Sequence, residues 1–365
     1  MEKKTILLAG SHAGSTAIAI VEEIKKRNLD WELHWIGKRF SKEGSLSETL
    51  EYKNLSKYDV KFHNLESGKL QTKFTRHTIP ALLKVPAGFL ATRKLIKAIN
   101  PDLTLSFGSA AGAMTVFWSN FYKISTIIHE QTATAGRANI ISSYFSKKIL
   151  VSRESSYPFF NKNKTMLVGN PINSEIATKA NLIDSHKDAR STRVKSILIT
   201  GGSRGSTWIN EAIKPLLPQL TDKYYVLHQT GDDNLDEFKS ITNNRYLAFG
   251  QVGPNEMAEV LLKADVAISR AGANTVSELT ALKIPSILIP IPWTYNDEQT
   301  ENAKYMEKLG LARILLQKDL NPQKLLSEIE KLIADYRHIL TLTENLKSPD
   351  LNAASDIVDI LEESI

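Results

Sequence analysis

The chain contains no cysteine among its 365 residues. This absence excludes disulfides, thiolate nucleophiles and cysteine-ligated metals, and it fits a reducing compartment. A long apolar run near the start is also missing, because MEKKTILLAGSHAG leads directly into a glycine turn, and we therefore expect no signal peptide there. Zinc-finger spacing, RNP-type aromatic motifs and basic heptad helices are absent from the sequence as well, which argues against nucleic acid as a partner.

One uncharged stretch has the length of a membrane span. Residues 103–122 carry no charge over 20 positions, about what a bilayer requires. However, Gly108, Gly112 and several serines and threonines interrupt it. We therefore predict a strand, a small-residue turn and a helix here.

Charge is distributed unevenly along the chain. Residues 1–165 contain 25 Lys and Arg against 13 Asp and Glu, whereas the remainder contains 21 against 27. The first half is therefore basic and the second acidic, which predicts that the first half faces an anionic surface or substrate. The length suffices for two domains, and an apolar fraction of 42% is that of a globular protein.

Strands alternate with helices in both halves, and glycine turns stand at the strand ends. The clearest unit is 264–302, which predicts a strand, a turn at 271–275, a helix, a second strand and a long polar loop. A helix N-terminus offers free N–H groups that can hold a diphosphate. Glu278, predicted in the first helical turn, could accept hydrogen bonds from ribose hydroxyls. An ordinary βαβ unit with a capped helix is the alternative.

Similar turns follow other predicted strands. His12 lies in the turn after the first strand, and the turn 201–206 follows the strand 196–200. A strand at 125–128 delivers His129 and Glu130 at its carboxyl end, where ligands of open α/β sheets bind. These turns lack G-x-G-x-x-G spacing, which disfavours a dinucleotide dehydrogenase.

Residues 74–100 combine apolar and basic side chains, and Pro80 and Pro86 are expected to interrupt any single long helix. Such a segment can dock on an anionic membrane surface. A core-packing helix with a solvated basic face is the alternative.

Several motifs together resemble the MurG family of glycosyltransferases. They are SRAGANTVSELTALKIPSILIPIP followed by DEQTENA, HEQ at 129–131, VGNPI at 168–172 and GGSRG at 201–205. The resemblance covers nearly the whole chain. It implies an α/β protein with two Rossmann-like domains facing across a cleft, the GT-B fold. The acceptor and membrane-facing domain would span 1–168, the UDP-sugar domain 169–350, and a terminal helix at 351–365 would pack back on the first domain.

The resemblance also implies the reaction. Members transfer N-acetylglucosamine from UDP-N-acetylglucosamine to the C4 hydroxyl of an undecaprenyl-pyrophosphoryl-muramyl-pentapeptide lipid in peptidoglycan synthesis, by a single inverting displacement. We expect no cofactor and no tightly bound metal, because helix N-termini after Gly205 and Gly272 would hold the leaving diphosphate. The expected location is the cytoplasmic face of the bacterial plasma membrane, as a peripheral protein on an anionic surface. A cell-wall synthesis complex is a further candidate partner.

Site residues follow from the same resemblance. His12 is the candidate base, with Glu130 and His129 as reserves. One set of residues would hold the donor, and a second set would hold the acceptor or contact the membrane. The donor set is Ser203, Gly202, Arg204, Gly205, Gly272, Ala273, Thr275, Glu278, Glu298, Gln299, Asn302, Thr132, Asn173, Phe249 and Met257. The acceptor and membrane set is Gly108, Ser109, Lys84, Arg93 and Lys94.

The chain also departs from the family pattern. The first turn is a shorter GSH instead of GGTGGH, Thr132 replaces an Asn, and Asn173 replaces an Arg. Arg204, in place of a Gln, would supply the cation missing at Asn173, with a solvent-facing arginine as the alternative. Two other functions stay open: a GT-B transferase with another lipid acceptor such as diacylglycerol, and a non-catalytic paralogue that binds the UDP sugar.

Overall fold

The computed structural model describes residues 3–11, 13–40, 48–68, 78–183, 196–202, 204–241 and 243–365, and for 78–83 and 181–183 the description is limited to the backbone. Two predicted site residues, His12 and Ser203, lie outside the described residues. The chain divides into two compact units, Met1–Ile172 with Asn352–Ile365, and Asn173–Leu351.

The first unit is built from seven strands and six helices within the described residues. The strands are β1 (Lys4–Ala9), β2 (Trp31–Gly37), β3 (Lys61–Asn64), β4 (Leu103–Ser106), β5 (Ser125–Glu130), β6 (Lys148–Val151) and β7 (Thr165–Leu167). The helices are α1 (Gly14–Lys26), α2 (Leu50–Leu55), α3 (Thr78–Ile99), α4 (Ser109–Phe121), α5 (Arg137–Ser143) and, from the end of the chain, α15 (Ala353–Glu362). Short 3-10 turns occupy Ser56–Tyr58, Glu154–Phe159 and Lys162–Lys164.

All strand pairs of the first sheet are parallel, in the order β3-β2-β1-β4-β5-β6-β7. Continuous apolar runs explain this, because strands covered by helices on both faces have no solvent-facing side. Leu7 and Leu8 in β1 are both fully buried although their side chains point to opposite faces. The fold therefore places the glycine turns at one edge of the sheet.

Helix α15 belongs to the first unit. Its apolar face, including Ile357 and Leu361, joins the core cluster that also contains Ile20 and Ile24 of α1. Arg27 at the end of α1 donates to Glu362 Oε2 at 2.8 Å and to the carbonyl oxygen of Ser355 at 3.0 Å. Apolar burial and charge pairing thus hold this terminal helix against α1.

The second unit contains six strands and nine helices within the described residues. The strands are β8 (Ser196–Thr200), β9 (Tyr225–Gln229), β10 (Tyr246–Phe249), β11 (Val266–Ser269), β12 (Ser286–Leu288) and β13 (Ala312–Ile314). The helices are α6 (Ser174–Ile183), α7 (Thr207–Ile213), α8 (Leu217–Thr221), α9 (Leu235–Lys239), α10 (Pro254–Lys263), α11 (Ala273–Ala281), α12 (Glu298–Lys308), α13 (Pro322–Ala334) and α14 (Tyr336–Leu342). The 3-10 turns are Lys214–Leu216, Asp232–Asn234, Tyr295–Asp297, Gln317–Asp319 and Pro349–Leu351.

The second sheet is also parallel throughout, in the order β10-β9-β8-β11-β12-β13. In each sheet the direction in which successive strands are added reverses near the middle, between β1 and β4 in the first sheet and between β8 and β11 in the second. This is the doubly wound arrangement of Rossmann-like domains. The predicted α/β class with two Rossmann-like domains is confirmed.

The predictions for the two apolar segments of the first unit have opposite outcomes. Residues 103–122 form β4, a turn and α4, as predicted. The expected interruption by proline is wrong, because α3 runs unbroken over Thr78–Ile99 with Pro86 inside it. Packing against α4, including a hydrogen bond from Trp118 Nε1 to the carbonyl oxygen of Phe89 at 2.8 Å, outweighs the local cost of the proline. None of the described helices is long and apolar enough to span a bilayer.

Candidate active site

In the second unit, two glycine turns lie side by side at the carboxyl edge of the sheet. The strand order turns back between β8 and β11, and ligands of open α/β sheets bind beside such a point. The turn 201–206 follows β8 and the turn 270–272 follows β11. They are joined where the backbone N–H of Arg270 donates to the carbonyl oxygen of Thr200 at 3.3 Å. Both turns predicted to hold a diphosphate are therefore neighbours.

The turn after β8 is fixed by close backbone packing. Gly205 has a φ of +69°, and a Cβ at that position would overlap the carbonyl oxygen of Thr230. Gly231 in turn leaves no room for a Cβ beside the carbonyl oxygen of Arg204. Gly202, with a φ of +81°, instead faces open space. The turn is thus tight on the side of β9 and open where a ligand could approach.

A relay of side chains connects this turn with the next loops. Thr200 Oγ1 accepts from the N–H of Gly202 at 2.9 Å and donates to Gln229 Oε1 at 2.6 Å. Gln229 Nε2 then donates to the carbonyl oxygen of Gly250 at 3.4 Å. Asp232 Oδ1 accepts from the N–H of Gln251 at 2.8 Å. These polar groups order the segment after β10 and were not singled out from the sequence.

The predicted nucleobase residues border that segment. Phe249 ends β10 and Met257 lies in α10, and both are half-buried. Gly253 caps the N-terminus of helix α10, and its N–H donates to Glu256 Oε2 at 2.7 Å. An apolar side chain beside ordered backbone groups suits a flat heterocycle.

Among the described residues, no opposite charge offsets the burial of the Glu278 carboxylate. It lies in the second turn of α11, since the helix begins at Ala273, so its predicted place in the first turn is wrong. Burial raises the pKa of Glu278 to about 7, and no hydrogen bond or ion pair contributes to that shift. Its side chain remains partly exposed. A ligand with two hydroxyl groups would supply the missing hydrogen bonds.

The remaining predicted residues near the start of α11 differ in exposure and contacts. Gly272, Ala273 and Thr275 are partly exposed at the start of α11. Asn302 is buried and donates through Nδ2 to the carbonyl oxygen of Ala271 at 3.0 Å, so it braces the turn.

Hydrogen bonds to Gln299, in the first turn of α12, order the loop that precedes this helix. Gln299 Oε1 accepts from the N–H of Ile291 at 3.1 Å, and the N–H of Gln299 donates to Thr294 Oγ1 at 3.3 Å. Glu298 and Gln299 are both partly exposed. Part of the predicted sugar-binding set therefore also shapes the loop that carries it.

Asn173 and Arg204 differ in surroundings. Asn173 is buried; its Oδ1 caps α6 by accepting from the N–H of Glu175 at 2.9 Å, and its Nδ2 donates to Asn255 Oδ1 at 2.8 Å. Both ends of the amide are thereby used within the unit. Arg204 is exposed.

In the first unit, the predicted reserve bases are enclosed. Glu130 accepts from the N–H and hydroxyl of Thr132, from the N–H of Gly136 and from Asn139 Nδ2, at 2.8–3.1 Å. His129 is fully buried, with Nε2 at 3.0 Å from the carbonyl oxygen of Gly169. These contacts order the loop after β5 and leave neither group facing solvent.

The turns after β1 and β4 flank the point where the first sheet turns back. Glu51, which is not among the predicted site residues, is buried and accepts from the N–H of Ala13 at 2.9 Å. Gly108 and Ser109 open α4 with φ values of +84° and +70°. Ser109 is not a glycine, so its positive φ stores backbone strain, and such strain clusters at functional sites.

The basic residues of α3 have different surroundings. The guanidinium of Arg93 lies 5.3 Å from the Trp118 ring centroid, and Arg93 Nε donates to Tyr122 OH at 3.0 Å. Lys94 is exposed, and Lys84 lies 3.2 Å from Glu66. No group of three or more acidic or histidine side chains suited to a metal ion occurs among the described residues.

Comparisons with known proteins agree with this geometry. The glycosyltransferase family 28 N-terminal domain matches residues 15–151, and the family 28 C-terminal domain matches residues 196–360. The crystal structure of Acinetobacter baumannii MurG shares the fold, with a TM-score of 0.72 and 20% identity over 99% of this chain and 100% of that chain.

Two curated relatives carry the same name, UDP-N-acetylglucosamine–N-acetylmuramyl-(pentapeptide) pyrophosphoryl-undecaprenol N-acetylglucosamine transferase. The relative from Acetivibrio thermocellus is 31% identical over 99% of this chain and 98% of its own length. The relative from Caldicellulosiruptor saccharolyticus is 32% identical over 98% of this chain and 97% of its own length. The chain therefore belongs to the MurG family of hexosyltransferases, within glycosyltransferase family 28.

Proposed function

We propose that this protein transfers N-acetylglucosamine from UDP-N-acetylglucosamine to the C4 hydroxyl of the muramyl sugar in an undecaprenyl-pyrophosphoryl-muramyl-pentapeptide. The acceptor oxygen forms a bond to the anomeric carbon while the bond from that carbon to the diphosphate oxygen breaks. UDP leaves with the bonding electron pair, and a base takes the hydroxyl proton. Attack from the opposite side inverts the anomeric configuration.

The observation that carries this proposal is the pair of neighbouring glycine turns with Glu278 beside them. The helices that follow these turns begin with a partial positive charge, which stabilises the negative charge that grows on the leaving diphosphate. The uncompensated carboxylate on the helix that follows supplies the acceptor for ribose hydroxyls. We assign Gly202, Ser203 and Gly272 to the diphosphate and Glu278 to the ribose.

The other donor contacts are assigned from the location and exposure of each predicted residue. Phe249 and Met257 border the segment assigned to the uracil, and Glu298 and Gln299 are the partly exposed residues assigned to the sugar. Asn173 and Asn302 act on the donor by ordering the elements around it, because their amides are engaged within the unit. We assign the acceptor to the turns of the first unit, with His12 as the base.

Incubation with labelled UDP-N-acetylglucosamine and a short-chain muramyl-pentapeptide lipid tests the function. We expect a labelled disaccharide lipid and one UDP per transfer, with a β-linked product. A matched incubation with diacylglycerol as acceptor should give no glycolipid. Transfer to diacylglycerol alone would contradict the acceptor assignment, and UDP binding without transfer to either lipid would indicate a non-catalytic protein.

We further propose that the protein works as a peripheral protein on the cytoplasmic face of the plasma membrane, docked through helices α3 and α4. Leu90 and Phe121 are large apolar side chains exposed at 56% and 61%. Arg93, Lys94 and Lys97 are exposed near them, with Lys97 Nζ 5.7 Å from the Tyr122 ring centroid. Apolar side chains flanked by cations suit an anionic lipid surface.

Replacing Arg93, Lys94 and Lys97 together by alanine should weaken binding to anionic vesicles. Each cation near such a surface contributes about 1 kcal/mol, so the loss should reach roughly tenfold or more. Co-sedimentation with vesicles containing phosphatidylglycerol measures it. A triple-alanine variant at Lys25, Lys26 and Lys57 removes the same charge from another exposed part of the unit. Equal losses in the two variants would show that α3 is not the docking surface.

A further inference from the structure

Arg270 is a buried cation without an acidic partner among the described residues. Its side chain follows β11 directly, and the residue is only 6% exposed. The guanidinium donates through Nε and Nη2 to Ser206 Oγ at 3.2 and 2.9 Å, and through Nη1 to the carbonyl oxygen of Ile289 at 3.0 Å. Burial lowers the pKa of Arg270 to about 10, and no opposing charge raises it. The group stays protonated at neutral pH, so a full positive charge lies inside the unit.

The position of this charge joins both glycine turns. Arg270 lies two residues before Gly272, and its main partner, Ser206, closes the turn 201–206. Ser206 also caps α7, since its hydroxyl oxygen accepts from the N–H of Ile209 at 3.5 Å. The guanidinium thus ties the ends of β11 and β12 to the turn after β8.

A buried charge without a counter-charge is unfavourable unless something compensates it. Here two neutral oxygens provide hydrogen bonds, but no carboxylate in the described part of the chain provides a negative charge. A diphosphate bound at the two turns would provide that charge. By contrast, Arg204 is exposed, so water already solvates it.

We propose that Arg270 is the positioning residue for the donor diphosphate: it holds Ser206 and the turn 201–206 in place and supplies the positive charge beneath the two glycine turns. This inference rests on the proposed function, because it assumes that a nucleoside diphosphate binds there. It assigns the cationic contribution to Arg270 in place of Arg204. The alternative is a purely structural link between strand ends.

Binding of UDP and of uridine to the same variants separates the two roles. In Arg270→Gln, UDP should bind about tenfold or more weakly, as expected for losing one partly buried charge interaction, whereas uridine should change by no more than about twofold. Arg270→Lys keeps the charge and should lose less UDP affinity than Arg270→Gln. Arg245→Gln removes an exposed cation of the same unit and should leave UDP binding nearly unchanged. Isothermal titration calorimetry at fixed salt measures all of these.

Each other outcome is informative. Equal weakening of UDP and uridine in Arg270→Gln would show a structural link only, and an equal effect of Arg245→Gln would show a general field effect; either overturns the inference. If the wild type binds no UDP, the proposed function fails instead. Should Arg270→Gln not fold, Ser206→Ala decides, because it keeps the cation but releases it from the turn. We expect a several-fold loss for UDP alone, and unchanged UDP binding would refute the inference.

Discussion

Glu278→Gln should weaken binding of UDP-N-acetylglucosamine by about 10- to 100-fold while making the unliganded protein more stable at alkaline pH. The first effect follows because hydrogen bonds to a charged acceptor contribute roughly 1.5–3 kcal/mol, and an amide oxygen is a poorer acceptor for two ribose hydroxyls. Calorimetric titration at pH 8 measures it. The pairing of weaker binding with greater stability distinguishes a ligand-binding carboxylate from a structural one.

The stability effect has a defined pH dependence. The pKa of Glu278 in the folded protein, about 7, exceeds the ordinary value of 4.5 because of burial. The penalty for ionising it in the folded state is therefore absent below about pH 4.5, grows as pH rises, and is complete above about pH 7. Glutamine carries no such penalty. We expect Glu278→Gln to gain roughly 1–3 kcal/mol at pH 8 and little at pH 4.5, measured by denaturant unfolding.

Wild-type binding should show the same ionisation. The charged carboxylate is the better acceptor, so affinity for UDP-N-acetylglucosamine should rise between about pH 6 and 8 and the variant should lose this dependence. A 2′-deoxy nucleotide sugar provides a second control, because removing one hydroxyl should reduce the effect of the mutation. Glu259→Gln replaces an exposed carboxylate of the same unit and should change neither binding nor stability. If Glu278→Gln weakened binding of the deoxy donor as much as binding of the full donor, the ribose assignment would be contradicted.

Gly205→Ala should be among the most destabilising single substitutions in the second unit. Two costs add: a side chain at a φ of +69°, and overlap of the new Cβ with the carbonyl oxygen of Thr230. The first costs about 1–2 kcal/mol, and displacing packed backbone adds a further 1–3 kcal/mol. Differential scanning calorimetry should show the loss in the transition of that unit. UDP binding should fall too, because the turn moves.

Two other glycines separate these costs. Gly310 has a φ of +78° with nothing within 4 Å of a Cβ, so Gly310→Ala should show the backbone strain alone. Gly202→Ala should be equally mild in stability, since its Cβ also meets nothing within 4 Å, yet it should weaken UDP binding by filling the open side of the turn. Similar unfolding temperatures for Gly205→Ala and Gly310→Ala would mean that the contact with Thr230 yields easily. That result would remove the argument for a rigid turn.

Much of this architecture follows from the sequence alone. Apolar strand runs such as 196–200, followed at once by glycine-rich turns and amphipathic helices, specify parallel α/β units because periodicity and turn chemistry are local. Short motifs such as SRAG and HEQ identified the family for the same reason, since a binding turn is a contiguous stretch. Glu278 was chosen as a candidate this way, because it lies on the helix that directly follows such a turn, although the start of that helix at Ala273 places it in the second helical turn.

Tertiary packing decided the rest. Pro86 lies inside a continuous helix because contacts with α4 outweigh a local preference. Asn173 became a helix cap for Glu175, and its amide also donates to Asn255, 82 residues away in sequence. Glu130 became a brace for its own loop because the fold of that loop turns donors of Thr132, Gly136 and Asn139 towards it. The positive charge of Arg270 meets Ser206 only because β8 and β11, far apart in sequence, are neighbours in the sheet. Such long-range pairings leave no periodic signal along the chain, so only the folded arrangement reveals them.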